Sequence, residues 1–256
     1  MANPFLIAIL LAAPVATTPS PGDDALTRAL SEGGVHLDLE NELCLVNARV
    51  GVTNELLEYL VVGPRGAAHE SMFVVEAMPS VLNTALLALG AEPGSNAKWS
   101  PIEPPPSQAE RRKGAPVYDV TPPSGDGFFL YIAWREEGEI FLFRIEDVLT
   151  NLGTGTRMKR HRWVYLGSRF IEDENGEEVF AADLEQNLVN VSFFHEGHTL
   201  VTAALPECVE QTIWMANPWI LPPREASVQL VFTRRPIRVL PDRWEAQLDE
   251  AVREDE

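Results

Sequence analysis

The sequence contains few cysteines and few basic residues. Two of its 256 residues are cysteines, too few to ligate an iron–sulfur cluster or to build a cysteine-rich zinc site. Lysine and arginine together number 20 against 38 aspartates and glutamates, which gives a net charge of −18. Nucleic-acid-binding proteins need a basic surface to contact phosphates, so the charge argues against a nucleic-acid partner.

The sequence also lacks the common catalytic motifs. It has no phosphate-binding glycine loop and no nucleophile elbow, so no catalytic set is visible. A hydrophobic content of 45% with 23% charged residues indicates a globular protein, and 256 residues are enough for a sizeable core.

Long hydrophobic runs are absent except at the N-terminus. Phe5–Ala13 is unbroken and apolar, has the length of a signal peptide and is too short to span a bilayer. Pro14-Val15-Ala16 offers a small-residue cleavage site. We therefore expect residues 1–22 to be a signal peptide with a polar exit segment, and the mature chain to be periplasmic or secreted without a transmembrane span. The alternative is an uncleaved, loosely anchored tail.

Export bears on the two cysteines, Cys44 and Cys208. In an oxidising compartment two cysteines can form a disulfide bond. They can equally remain two separate buried thiols, which behave as small hydrophobic side chains. The sequence leaves both alternatives open.

One central stretch combines strand, turn, strand and helix. Leu57–Val62 has the alternation of a strand, and a second strand is expected from about Ala68 to Ala77. Pro79–Leu89 carries an apolar stripe at helical spacing, and Gly90 is placed to end the helix in the left-handed conformation. This stretch predicts the central helix of the fold.

Three further segments place an x-Gly pair between alternating apolar runs, which is the signal of a short hairpin. We predict antiparallel pairing of Phe128–Arg135 with Glu139–Arg144, and of Asn190–His195 with His198–Ala203. A third hairpin is expected around Asn175-Gly176.

The predicted fold class is therefore α+β and dominated by β-structure. We expect antiparallel hairpins or a meander, packed with one central helix at about Pro79–Leu89 and a C-terminal amphipathic helix. Residues 23–240 would form a single domain with a long proline-rich loop at 91–126, either a mobile surface excursion or a functional loop. Residues 241–256 would form an acidic C-terminal helix or tail.

Four motifs in order carry a resemblance to a known family. They are Leu57-Glu58-Tyr59, His69-Glu70-Ser71, the run from Ala85 to Gly90 followed by Pro93-Gly94, and the run from Trp163 to Ser168. This set resembles YdjY-type domains, found in bacterial extracytoplasmic proteins, and would cover most of Gly34–Arg235. The resemblance implies an extracytoplasmic location and little about chemistry. Some members carry ferredoxin-type labels, from which this chain departs because it has two cysteines.

The histidines are the strongest candidates for metal ligands. A Glu-Gly turn would make His195 and His198 a cross-strand pair on one face, with Cβ atoms about 5 Å apart. His69 could add a third ligand, with Glu70 or Glu196 as base, which would suit zinc or a similar divalent metal. The alternative is an exposed turn pair and a hydrogen-bonded structural His69.

The segment containing Trp214, Asn217 and Trp219 is the second candidate site. It could be an aromatic binding surface, or a loop pinned to the core by its two tryptophans.

Two function classes follow. The first is an extracytoplasmic, non-catalytic binding or interaction domain for a protein or small-molecule ligand, with no cofactor. The alternative is a transition-metal-binding protein, such as a metal-dependent hydrolase, that uses His69, His195 and His198.

Overall fold

A computed structural model describes residues 21–249. The predicted signal peptide, apart from residues 21 and 22, lies outside this range, and so do residues 250–256 of the predicted acidic tail. Within the range no helix is both long and apolar enough to cross a membrane.

Strands dominate the described residues. They are β1 Val35–Asp38, β2 Leu43–Val50, β3 Tyr59–Val62, β4 Ser71–Val75, β5 Lys98–Pro101, β6 Tyr118–Thr121, β7 Gly127–Glu136, β8 Glu139–Arg144, β9 Leu149–Asn151, β10 Thr156–Arg157, β11 Trp163–Tyr165, β12 Phe170–Glu172, β13 Glu178–Phe180, β14 Asn187–Asn190, β15 Val201–Thr202, β16 Trp214–Ala216 and β17 Ser227–Thr233. The helices are α1 Pro21–Glu32, α2 Pro79–Ala88, α3 Gln108–Arg111, α4 Ala181–Glu185 and α5 Asp242–Glu245.

Eight strands close into a barrel in the order β2, β17, β7, β11, β15, β14, β3 and β4. The barrel closes because the last part of β2 pairs with β4, while its other edge pairs with β17 along its length. A barrel of eight strands is just wide enough to be filled by its own side chains. Buried aromatic side chains from several barrel strands pack in the main core: Phe73, Phe128, Trp163, Tyr165 and Phe232.

The closed barrel corrects the predicted meander with one central helix. Two of its strand pairs are parallel, β3 with β4 and β14 with β15, and several short helices surround it. Alternation in a sequence shows which face of a strand is buried but not which strand lies beside it. The partners are set by long-range burial, which the local pattern does not contain.

Two of the three predicted hairpins are confirmed. β7 and β8 pair antiparallel from Glu136 opposite Glu139 to Tyr131 opposite Arg144. Their turn has a positive φ at both central positions, 52° at Glu137 and 78° at Gly138, as a type I′ turn requires. β12 and β13 likewise pair antiparallel around the predicted Asn-Gly turn.

The predicted pairing of Asn190–His195 with His198–Ala203 is wrong. β14 ends at Asn190 and runs parallel to β15. The next two backbone N–H groups, of Val191 and Ser192, both donate to the carbonyl of Glu58. The chain therefore leaves the sheet at this point, and the residues that follow form irregular structure instead of a second hairpin arm.

A helix is present where the sequence predicts one, at about Pro79–Leu89, but it is not the one central helix of the fold, since α1 is longer. α2 begins at Pro79, buries Leu82, Ala85 and Leu86 in the main core, and is followed by Gly90 with a φ of 75°. The strand before it starts later than predicted, because the residues from Ala68 to Glu70 form a single 3₁₀ turn.

The proline-rich segment is more regular than expected. β5 and β6 pair antiparallel as a separate two-stranded ribbon, and α3 begins at a capping box formed by Ser107 and Glu110. Both strands lie outside the barrel, where proline is tolerated.

The described part of the C-terminal segment is a short docked helix. Trp244 and Leu248 pack with Leu43 and Leu45 of β2 in a second core, whereas Cys44 and Val46 of the same strand belong to the main core. Because successive side chains of a strand point to opposite faces, this segment covers the outside of the barrel.

The two cysteines are free and buried. Burial raises the pKa of the Cys208 thiol to about 12 and raises that of the Cys44 thiol further, so both thiols are protonated and inert at neutral pH. The alternative of two separate buried thiols is the one observed.

Candidate functional site

The structure does not bring the three candidate histidines together as metal ligands. Among residues 21–249, no group of three or more His, Cys, Asp and Glu side chains is placed to hold a metal ion. His69 lies on the 3₁₀ turn before β4 with a side chain 77% exposed, and its Nε2 lies 3.7 Å from Glu70 Oε1.

His195 contacts the proline-rich segment. Its ring stacks on Trp99 with 3.9 Å between centroids, and the amide of Asn96 donates to the carbonyls of Phe194 and His195. These contacts give His195 a structural role in holding the β5–β6 ribbon against the loop after β14.

Both ring nitrogens of His198 form hydrogen bonds with neighbouring side chains. Nε2 lies 2.9 Å from an Nη2 of Arg169, which can only donate, so Nε2 accepts. Nδ1 lies 2.5 Å from Glu185 Oε1 and therefore carries the proton. Neither nitrogen is left as a metal ligand in this arrangement.

His198 lines a small cavity that we call the histidine cleft, formed by Tyr59, Glu185, Asn190, Phe194, Glu196 and His198. Its volume is about 90 Å³. One water occupies roughly 30 Å³ of liquid, so the cleft accommodates only a few waters. Tyr59 stacks on Phe194, and burial is the main cause that raises its pKa to about 12. The tyrosine is therefore protonated at neutral pH.

The two tryptophans of the 214–221 segment differ in burial. Trp214 lies on β16 and is 1% exposed, so it pins the segment to the core. Trp219 is 91% exposed and projects into solvent. Between them Asn217 Oδ1 accepts the backbone N–H of Trp219, an Asx turn that reverses the chain.

Trp219 borders a cavity of about 480 Å³, which we call the aromatic cleft. Aromatic, aliphatic and acidic side chains line it: Trp134, Glu136, Glu137, Glu139, Phe141, Phe143, Trp219 and Ile220. Phe141 and Phe143 are two residues apart on β8 and so share a face, and both stack on Trp134 with centroids 5.2 and 5.5 Å away. The hairpin of β7 and β8 thus presents an aromatic wall to this cleft.

A second cavity, of about 630 Å³, lies beside the first and contains Asn217. We call it the arginine cleft after four of its lining residues: Arg144, Arg157, Arg160 and Arg238. Phe143 and Ile220 line both cavities, so the two clefts adjoin.

Buried carboxylates hold the arginines in place. Glu146 is fully buried and binds Arg144 through two hydrogen bonds of 3.0 and 2.5 Å, while its Oε1 also accepts Trp163 Nε1. Asp147 binds Arg160 through two hydrogen bonds of 3.1 and 2.5 Å. The side chain of Asp147 raises the pKa of Arg160, which keeps the guanidinium charged.

Sequence reasoning missed the arginine cleft. A signal was present between positions 157 and 162, where the run RMKRHR is basic in an otherwise acidic chain. A basic run of this kind is easily taken for a solvated surface, because nothing in it shows that Asp147 and Arg238 lie beside it.

Comparison with known protein families gives a match. The family model described as the YdjY domain matches residues 35–233, which span the strands from β1 to β17. No curated protein and no solved structure matches the chain significantly.

Proposed function

The chain belongs to the YdjY domain family, and from this premise we propose that it is a non-catalytic, extracytoplasmic binding domain for a small organic molecule. The observation that carries the proposal is the groove formed by the two adjoining clefts, about 480 and 630 Å³ in volume. Pockets for small ligands are apolar clefts of roughly 300–1,000 Å³ with a few polar groups that fix orientation.

The lining of the groove supports binding more than catalysis. Among the described residues that line it, there is no Ser, Thr, Cys or His to act as a nucleophile or as an imidazole base. Its walls combine aromatic and aliphatic side chains with charged ones, namely four arginines and Asp147 in the arginine cleft and three glutamates in the aromatic cleft. Trp219 is exposed at the rim. Exposed tryptophan is a common anchor for ligands because it offers a large apolar face at little entropic cost.

Binding in the groove can be tested with phenyl and indole compounds by ligand-observed NMR. We expect Trp219→Ala to weaken their affinity about 2- to 10-fold, because an aromatic pair contributes roughly 0.5–1.5 kcal/mol. Phe170→Ala is the matched control, since Phe170 is another exposed aromatic residue, on β12, and lines neither cleft. Equal binding to wild type and both variants, or binding to none of them, would contradict the proposal.

The extracytoplasmic location rests on the sequence of the N-terminal segment. Mass spectrometry of the protein from its native host should find an N-terminus between about Ala16 and Asp24, the window expected for signal cleavage. Recovery of intact Met1 on a cytoplasmic protein would reverse the proposed location.

A further inference from the structure

The arginine cleft carries more positive than negative charge. Four arginines line it, and the acids that contact them are two, Glu146 and Asp147. Four positive and two negative charges leave an excess of two positive charges around one cavity, in a chain whose net charge is −18. An acidic protein does not gain solubility from such a cluster, so its charge calls for another explanation.

Two of these arginines are oriented before any ligand arrives. The side chain of Asp147 is 9% exposed and contacts Arg160 through both oxygens and Arg157 at 3.4 Å. A guanidinium has five N–H donors in a fixed fork, so a single carboxylate leaves part of each fork unused. An arginine held in this way loses less side-chain entropy on binding than a free one.

The polar groups that remain along the cavity are donors. Tyr131 Oη accepts the backbone N–H of Ile237, which leaves its own proton to donate. Asn217 uses its oxygen within the Asx turn, and its amide N–H₂ has no partner among residues 21–249. Arg238 forms neither an ion pair nor a hydrogen bond with any residue in the described part of the chain. A cavity lined by unused donors is complementary to a group that only accepts.

We propose that the arginine cleft binds the acidic group, a carboxylate or a phosphate, of a small organic ligand whose apolar part lies in the adjoining aromatic cleft. The proposal rests on the proposed function and names the chemistry of the ligand. Arginine forms paired hydrogen bonds with the oxygens of either group, and such charge-assisted bonds are the strong ones. Phe143 and Ile220, which line both clefts, place the apolar part directly beside the acidic group.

Three probes with the same ring and different head groups test the proposal: benzoate, phenyl phosphate and neutral benzamide. Their dissociation constants are measured by NMR titration against the full chain. We expect one or both anions to bind at least about tenfold more tightly than benzamide, because hydrogen bonds from arginine to a charged acceptor are stronger than those to a neutral one. Anion affinity should also fall as ionic strength rises towards 1 M, where the screening length is about 3 Å.

Variants assign the effect to the cleft. Arg238→Gln should weaken the better anion about tenfold and leave benzamide unchanged, because Arg238 is exposed and carries no structural contact among the described residues. Arg157→Gln should act in the same direction, while Arg160 still pairs with Asp147. Arg65→Gln is the matched control: Arg65 is an exposed arginine on the turn after β3 and lines neither cleft.

The outcomes separate the two proposals. Tighter binding of phenyl phosphate would identify a phosphate ligand, and tighter binding of benzoate a carboxylate ligand. Equal affinity for all three probes would overturn the acidic-group proposal, and so would equal losses of anion affinity in Arg238→Gln and Arg65→Gln. In either case, a loss of affinity in Trp219→Ala would still support binding in the groove. Loss of the Trp219 effect as well would overturn both.

Discussion

The histidine cleft and the arginine cleft both contain a short hydrogen bond between a basic side chain and a carboxylate, but they differ in what remains unused. In the histidine cleft, Glu185 and Arg169 occupy both ring nitrogens of His198, and the cavity measures about 90 Å³. In the arginine cleft, Asp147 occupies only part of the fork of Arg160, and the cavity measures about 630 Å³. The number of donor atoms left after folding, more than the residue type, is therefore what makes the arginine cleft, and not the histidine cleft, the candidate for ligand binding.

The depth of the carboxylate differs as well. The side chain of Glu146 is fully buried and that of Glu185 is 38% exposed. A buried carboxylate needs all of its partners, because removal from water costs several kcal/mol per ion. Glu146 has them in Arg144, Trp163 and the backbone N–H of His161. The carboxylate that holds Arg144 at the arginine cleft is thus excluded from water, whereas the carboxylate that holds His198 at the histidine cleft is partly exposed.

The largest expected effect on stability comes from removing the carboxylates of Glu146 and Glu185. Glu146→Ala should lower the free energy of unfolding by about 3–5 kcal/mol, because it leaves the charge of Arg144 buried without its partner. Glu185→Ala should cost about 1–3 kcal/mol, the range for hydrogen bonds to a charged group at a half-exposed position. Urea denaturation followed by circular dichroism measures both. A loss of under 1 kcal/mol for Glu146→Ala would mean that the cleft is not held in place by its buried acid.

A smaller effect is expected from the histidines themselves. His198→Ala should lower the free energy of unfolding by about 1–2 kcal/mol, since it removes contacts to Glu185 and Arg169. His69→Ala should change it by no more than about 0.5 kcal/mol, as is usual for an exposed side chain. Added zinc should not alter this difference. Zinc-dependent stabilisation of wild type that both variants abolish would instead support the metal hypothesis.

Comparing the predictions with the structure also shows which parts of the fold can be predicted from the sequence. Local features were predictable: the β7–β8 hairpin follows from two residues that adopt positive φ, and α2 follows from Pro79, an apolar stripe and Gly90. Barrel closure was not predictable, because it depends on β2 meeting β4 and on two parallel pairs between strands whose alternation looks the same in any partnership.

The candidate site was predictable only in part, because its residues come from segments that are far apart in the sequence. The segment of Trp214 and Trp219 showed two amphipathic aromatic residues, and their spacing left open which one is buried. Arg144 and Arg238 are separated by 94 residues, the difference between 238 and 144, so no local pattern joins them. The histidine pair was overvalued because a Glu-Gly turn was assumed to sit within a ladder, whereas the chain had already left the sheet after Asn190.

The smallest expected effect concerns His161, whose backbone contacts Arg144 and Glu146. It tests whether the neutral His161 ring helps to hold the arginine cleft in place. Burial is the main cause that lowers its pKa below the usual value of 6.5, and the carbonyl of Lys159 and the charge of Glu146 oppose the shift. Its Nδ1 lies 3.0 Å from the Lys159 carbonyl, and its Nε2 has no partner among residues 21–249. Arg144, which donates to the His161 carbonyl, further disfavours a charged ring.

The sign of the pH dependence follows from this shift. The unfolded chain binds a proton at His161 more readily than the folded protein, so the stability from the neutral ring is complete above about pH 6.5 and is lost as the pH falls below that value. A single group changes stability by at most about 1.4 kcal/mol per pH unit. Urea denaturation at pH 8 and pH 5.5 should show a smaller loss on acidification for His161→Gln than for wild type. His69→Gln, whose side chain is exposed, should behave like wild type, and groups common to all three proteins cancel in the comparison. Equal losses in wild type and His161→Gln would show that burial does not keep the His161 ring neutral and that the ring takes no part in holding the cleft in place.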